Sequence, residues 1–232
     1  MKLGIMQPYF FPYIGYWQLI NAVDKYVIYD DVNYIKKGWI NRNRILINNS
    51  VENINLSISK ASQNKLINEL SLFEPDNNFN NLLKTISYNY KKAKEFDSVF
   101  PVVEKIFSCK EENLARFLEY SIRELVDYMG IETEIIVSSD IPKDNTLRGQ
   151  EKIISICEEL KADVYINAIG GQELYDKESF SKQNIDLKFL MPNISEYDQF
   201  GNEFQEGLSI IDVLMFNSKQ GVCKMLNDYK LV

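Results

Sequence analysis

Four cations, Lys36, Lys37, Arg42 and Arg44, fall within nine residues around Trp39. In a chain of 232 residues with net charge −7, that cluster stands apart. Arginine grips phosphate or carboxylate with two parallel hydrogen bonds, and lysine supplies a point charge. Trp39 can stack on a base or line a sugar pocket. A solvated basic loop is the competing reading. If the segment is extended, Trp39, Asn41 and Asn43 share one face, and Ile40, Arg42 and Arg44 the other. The two arginines then need partners, and Asp30 and Asp31 are the expected ones. Asp30-Asp31 closes the apolar run Tyr26-Val27-Ile28-Tyr29. An acid at a strand end suits a ribose, a sugar hydroxyl or an amine, though turns and helix caps also use Asp.

Two further stretches carry candidate chemistry. Gln7-Pro8-Tyr9-Phe10-Phe11-Pro12-Tyr13-Ile14-Gly15-Tyr16-Trp17 follows a short apolar run and leads into a helical one. Its prolines stop strand and helix alike, and Gly15 permits a close backbone approach. Gln7, Pro8, Tyr9, Tyr13, Gly15 and Tyr16 are candidate substrate contacts here; a packed aromatic connection is the alternative. Asn167-Ala168-Ile169-Gly170-Gly171-Gln172 repeats the strand-loop-helix pattern later in the chain. Gly170 and Gly171 can present backbone N–H groups to an anion or carbonyl, and a plain turn would use them equally well. Asn167, Gln172 and Tyr175 join the candidate contacts, as do Lys37, Asn41, Arg42 and Arg44. Asp30, Asp31 and Glu173 are the candidate general bases.

Histidine is absent. That removes Ser-His and Cys-His nucleophile pairs and histidine-ligated metal. Acid–base work must fall to Asp, Glu, Lys, Tyr or Cys. Cys109, Cys157 and Cys223, odd in number and widely spaced, are no disulfide framework. The acidic balance argues against nucleic acid. No stretch reaches the roughly 18 apolar residues of a membrane span. The N-terminus lacks a signal-peptide pattern, so a cytoplasmic protein is expected.

The elements that must position these residues read as α/β. Strands are expected at Leu3–Met6, Tyr26–Tyr29, Thr133–Val137, Ala162–Ile166 and Ile185–Leu190, with helices at Tyr16–Ala22, Arg148–Leu160, Leu208–Phe216 and Gln220–Tyr229. Ile45–Ser59 reads as strands broken at Asn48-Asn49, and Leu66–Leu72 as another short strand. A helix is expected to resume near Glu173, and Pro101 to sit in the first turn of a helix over Phe96–Phe107. Residues 76–130 form a helical insertion or cover within a single α/β domain spanning 1–232. The expected frame is a Rossmann-like parallel sheet, in which the loops around Tyr9 and Gly170 share one sheet edge and face one pocket.

The stretch Met6-Gln7-Pro8-Tyr9-Phe10-Phe11-Pro12-Tyr13-Ile14-Gly15-Tyr16 resembles the opening of the WbqC-like proteins. So do Ala22-Val23-Asp24, Tyr29-Asp30-Asp31-Val32, Lys37 to Arg44, Asn167 to Tyr175 and Leu208-Ser209-Ile210-Ile211-Asp212. That resemblance implies a setting in bacterial O-antigen and surface-polysaccharide gene clusters. The first β-loop-α unit is also similar to nucleotidyltransferase-like Rossmann folds, with Tyr13-Ile14-Gly15-Tyr16 in place of their His-x-Gly-His. Such a replacement implies a shared fold without histidine-dependent nucleotidyl transfer. The expectation is a transferase acting on a nucleotide-linked amino sugar, by N-acylation or aminoacylation. A non-catalytic nucleotide-sugar-binding protein and an Mg²⁺-assisted enzyme using Asp30 and Asp31 are the other readings. The sequence names no cofactor, and it leaves the oligomeric state open.

Overall fold

The structure, a computed structural model, describes all residues 1–232. Its centre is a six-stranded sheet built from β1 (Lys2–Met6), β2 (Lys25–Ile28), β7 (Glu134–Val137), β8 (Val164–Ala168), β9 (Asp186–Pro192) and β10 (Tyr229–Leu231). The order across the sheet is β10-β9-β8-β1-β2-β7. All neighbours are parallel except the terminal β10, which runs antiparallel to β9. β1 therefore lies between β2 and β8, where the chain changes its direction of travel across the sheet. The C-terminal ends of β1, β2, β7 and β8 share one edge, and the loops after them carry most of the candidate residues.

Alternation along the strands feeds two cores. Leu3, Ile5, Val27, Tyr165, Leu187 and Phe189 point to one face and pack with Ile153, Ile156 and Cys157 of α5 (Gly149–Glu159). Tyr26, Ile28, Ile166 and Leu190 point to the other. They join α1 (Ile14–Asn21), α7 (Ile210–Phe216) and α8 (Lys219–Leu226) in the larger core. Strands buried on both faces must be apolar almost throughout, which is why these runs read as strands without a polar stripe.

The connection from β2 to β7 is long. It holds a hairpin of β3 (Arg42–Ile47) and β4 (Ser50–Asn55). Asn48 and Asn49 both adopt positive φ, at 52° and 64°. Such a turn matches the right-handed twist of the strands, so the hairpin is where the Asn-Asn pair marks it. A small pair, β5 (Ile58–Ser59) with β6 (Ser71–Leu72), follows. Then come α2 (Pro75–Tyr90), α3 (Phe96–Phe107) and α4 (Leu114–Met129), which pack into the same large core as α1 and α7.

Three local expectations shift. Pro101 is the sixth residue of α3, inside the helix rather than in its first turn. Leu66–Leu72, read as one strand, is a 3₁₀ turn at Ile67–Glu69 followed by the two-residue β6. Near Glu173 the chain forms a 3₁₀ turn over Ile169–Leu174, and helix resumes only at α6 (Lys177–Ser181). The side chain of Asn167 packs beneath that turn: a Cβ on Gly171 would lie 2.6 Å from Asn167 Nδ2.

Candidate functional site

The aromatic loop after β1 is fastened by its carbonyls. Asn43 Nδ2 donates to Phe10 O and Phe11 O at 3.0 and 2.7 Å, and Ser209 Oγ donates to Phe11 O at 2.8 Å. Trp17 Nε1 donates to Pro12 O at 2.9 Å, and Phe10 N to Trp39 O at 3.0 Å. Phe11 is held at φ 44°, left-handed backbone that a non-glycine residue adopts only when its surroundings fix it. Phe10, Phe11, Pro8 and Tyr16 are buried. Tyr16 OH donates to Gln7 O at 3.0 Å. What emerges from the loop is Tyr9 and Tyr13, both half-buried. Burial lifts both phenols above their ordinary pKa, so they present O–H donors at neutral pH. Gly15 serves Tyr13 directly: a Cβ there would lie 2.5–2.7 Å from the Tyr13 ring and hydroxyl.

Tyr9, Pro12, Tyr13, Trp39, Asn43, Arg44 and Gly207 line an open cleft of about 320 Å³. Both guanidinium groups stack on Trp39, with Arg42 Cζ at 5.5 Å and Arg44 Cζ at 5.6 Å from the ring. Arg42 Nε donates to Gly38 O and Arg44 Nη2 to Gly207 O. Arg44 Nε is buried without a hydrogen-bond partner. The two arginines thus take backbone carbonyls and an aromatic ring, and not Asp30 or Asp31, as neighbours. Asn41 bonds Tyr34 OH and Leu56 O, tying the basic segment to the hairpin region. Lys37 is exposed at φ 61° and forms no ion pair.

Asp30 and Asp31 lie at the end of β2, on a different part of the same edge. Asp30, 3% exposed, accepts from Ser139 N at 2.9 Å, Ser139 Oγ at 2.7 Å and Asn68 Nδ2 at 3.2 Å. It clamps the ends of β2 and β7 to the 3₁₀ turn at Ile67–Glu69. Asp31 meets two lysines: Oδ2 is 2.9 Å from Lys143 Nζ and 3.1 Å from Lys152 Nζ. Ser138 Oγ donates to its Oδ1 at 2.7 Å. Burial would raise the Asp31 pKa, but Lys143, Ser138 and Lys152 outweigh it and hold the carboxyl below its ordinary value. A carboxylate held by two ammonium groups is already neutralised, the reverse of an open cation site, and no cluster of three or more Asp, Glu or Cys side chains is placed to hold a metal.

Beside Asp31 opens a second cleft of about 340 Å³, lined by Tyr29, Asn33, Asn68, Ser139, Arg148, Gly149 and Lys152 among others. Asp30 borders a smaller third one of about 190 Å³ with Asn113, Arg116 and Glu119. Asn167, Gly170, Gly171 and Gln172 share the sheet edge with the aromatic loop, yet line none of these three clefts. Gln172 and Glu173 are exposed. Tyr175 packs edge-on to Tyr165 and Phe180.

Sequence reasoning passed over Asn43, Lys143, Arg148, Lys152 and Gly207. Lys152 carried a signal: it stands at i, i+4 spacing from Ile156 on the apolar face of α5, where a lysine must find a partner. Nothing local marked Lys143 or Gly207.

This is an α/β protein with three clefts on the C-terminal edge of a mostly parallel sheet. Residues 7–223 match the WbqC-like protein family, and the chain belongs to it. Over 219 residues it is 26% identical to an uncharacterized Mycobacterium tuberculosis protein, Rv1507c, covering 93% of each chain. No solved structure matches it. No helix is long and apolar enough to cross a membrane.

Proposed function

We propose that the protein binds a nucleotide-linked sugar at the C-terminal sheet edge and acts on it as a transferase in bacterial surface-polysaccharide biosynthesis. The observation that carries this reading is the aromatic cleft. Tyr9, Tyr13 and Trp39 offer flat faces for a base or sugar ring, and Arg44 lies beside them with a buried, unpartnered Nε. The sheet supports it: numbered along the chain, its strands run 3-2-1-4-5 before the antiparallel last one, the order of Rossmann-like folds. In those folds ligands sit outside the strand ends where the order reverses, and the aromatic loop leaves β1 there. The polysaccharide setting is what the resemblance to the WbqC-like proteins implies. The substrate class is an amino sugar, acylated or aminoacylated on its nitrogen in the cytoplasm. Its amine must lose a proton as the C–N bond forms.

One observation favours a second reading, a non-catalytic protein that presents the nucleotide sugar to a partner enzyme. Of the three carboxylates expected to take that proton, Asp30 and Asp31 are occupied by hydrogen bonds and lysines, and Glu173 is exposed outside the clefts.

Thermal stabilisation by UDP-, dTDP- and GDP-linked sugars tests the binding claim. A ligand at about 100 times its Kd adds roughly 2.7 kcal/mol. Stabilisation lost in Trp39→Ala and Arg44→Ala supports the cleft; no response to any nucleotide sugar overturns it. Turnover on adding acyl-CoA or an aminoacyl donor selects the transferase, and tight binding without turnover selects the presenting protein.

A further inference from the structure

We propose that the cleft beside Asp31 is a phosphoryl-binding site, separate from the aromatic cleft, that takes the phosphate or diphosphate of a small molecule. The inference stands independently of the nucleotide-sugar reading. It begins with a charge imbalance. The Lys143 and Lys152 side chains are 1% and 4% exposed, and both lean on one carboxylate oxygen. Their hydrogen bonds go instead to carbonyls: Lys143 Nζ donates to Ser138 O, and Lys152 Nζ to Asp31 O at 2.8 Å. Asp31 Oδ2 is buried with no hydrogen bond of good geometry. Two buried ammonium groups against one carboxylate leave a positive charge without a carboxylate partner, an arrangement that favours an added anion.

Around Asp31 the cleft sets cationic groups and a helix start among neutral polar side chains, Asn33, Asn68, Ser139 and Asn145. Arg148 lines the cleft and pairs with no carboxylate. Its Nη1 is anchored on Asn145 O and Leu147 O at 2.6 and 2.9 Å, which leaves the rest of the guanidinium fork free. Gly149, the first residue of the 11-residue α5, lines the cleft too. No side chain caps that helix start, so its backbone N–H groups remain open to an acceptor. Gly149 stands at φ 52° with nothing within 4 Å of the place a Cβ would take. The neighbouring acid, Asp30, is turned to Ser139 and Asn68 and lines the third cleft instead. Arg148 and Lys152 line the cleft, and Lys143 pairs with Asp31 without lining it, so three positive charges gather at the Asp31 carboxylate; Glu151, in the first turn of α5, is exposed and outside the lining. Ammonium, guanidinium and helix-start N–H groups converging on one space suit a tetrahedral anion with several acceptor oxygens.

The test is titration of inorganic pyrophosphate into isotope-labelled protein, followed by backbone amide NMR at low ionic strength. The amides of Arg148, Gly149 and Gln150 are expected to shift. Arg148→Ala, a change at an exposed side chain, should weaken the response roughly tenfold or more. Lys152→Met should weaken it as well, while its spectrum reports whether the fold is kept. Pyrophosphate that leaves these amides unmoved at millimolar concentration overturns the proposal. So does binding of native strength in Arg148→Ala. Titration with a nucleotide-linked sugar then identifies the source. Gly149 and Trp39 moving together at one stoichiometry assign the phosphoryl group to that sugar. Gly149 moving with pyrophosphate, while the sugar moves only Trp39, assigns it to a second ligand.

Discussion

Two buried carboxylates in this molecule have opposite surroundings. Asp212, in the first turn of α7, is fully buried and accepts three hydrogen bonds of 2.7 Å from Tyr90 OH, Tyr197 OH and Gln199 Nε2. Every one of those donors is neutral. Burial therefore prevails, and the Asp212 carboxyl is pushed above its ordinary range despite the three bonds. Asp31 is nearly as buried but faces two ammonium groups, and its carboxyl is pushed down. Asp212 is scaffold: Tyr90 OH also accepts from Leu46 N, so the chain Leu46–Tyr90–Asp212 pins β3 to α2 and α7. In that way it holds the strand that carries Arg42 and Arg44. Asp31 borders open space and has more cation than it can neutralise. A satisfied network in the core and an unbalanced one at a cleft are different objects: Asp212 lies within an apolar run, and Asp31 lies just past the end of one.

The contrast can be broken by mutation. Asp31→Asn leaves two buried lysines without a carboxylate and should cost about 3–5 kcal/mol in urea unfolding. Lys152→Met leaves a one-to-one pair and should cost far less; equal costs for the two variants would remove the charge imbalance. Asp212→Leu strands three donors and should cost about 3 kcal/mol or more, with the larger share of the lost order around β3. Gly15→Ala drives a methyl into Tyr13 and should cost about 1–3 kcal/mol while deforming the aromatic cleft. Unchanged stability there would mean that Tyr13 can move aside freely.

The smallest effects lie in the pH dependence, and the two acids should differ in sign. Asp31 has a lowered folded-state pKa. Its stabilising contribution is present above the ordinary value of 3.8 and fades as pH falls through the lowered one. Asp212 has a raised pKa. Its contribution is complete below 3.8 and fades as pH rises through the raised value. Unfolding measured across the acid-to-neutral range should therefore lose part of its acid-side slope in Asp31→Asn. In Asp212→Asn it should lose the opposing slope. Parallel profiles for the two variants would contradict the assignment of their surroundings.

Much of the frame was legible. The apolar runs at Leu3, Tyr26 and Ala162 gave strands because both sheet faces are covered, and Asn48-Asn49 gave the hairpin turn. The loops around Tyr9 and Gly170 do share one edge, since β1 and β8 are parallel neighbours. The clefts were harder. The loop at Gly170 is folded onto Asn167 in a 3₁₀ turn, so adjacency of strands did not bring its residues to Tyr9. The partners of Asp31 come from more than 100 residues downstream, and no local pattern ties Lys143 or Lys152 to a strand end at position 31. Arg42 and Arg44 were expected to seek acids and found Trp39 and carbonyls, because a planar guanidinium is satisfied by stacking and backbone acceptors as well as by charge.

The central claim is that the aromatic cleft after β1 receives the nucleotide-linked sugar. Amide NMR mapping of a UDP-, dTDP- or GDP-linked amino sugar tests it most directly. The account predicts shifts concentrated at Tyr9, Tyr13, Trp39, Arg44 and Gly207, abolished by Arg44→Ala. Absence of shifts with all three nucleotide classes, or shifts gathered away from these residues, would contradict it.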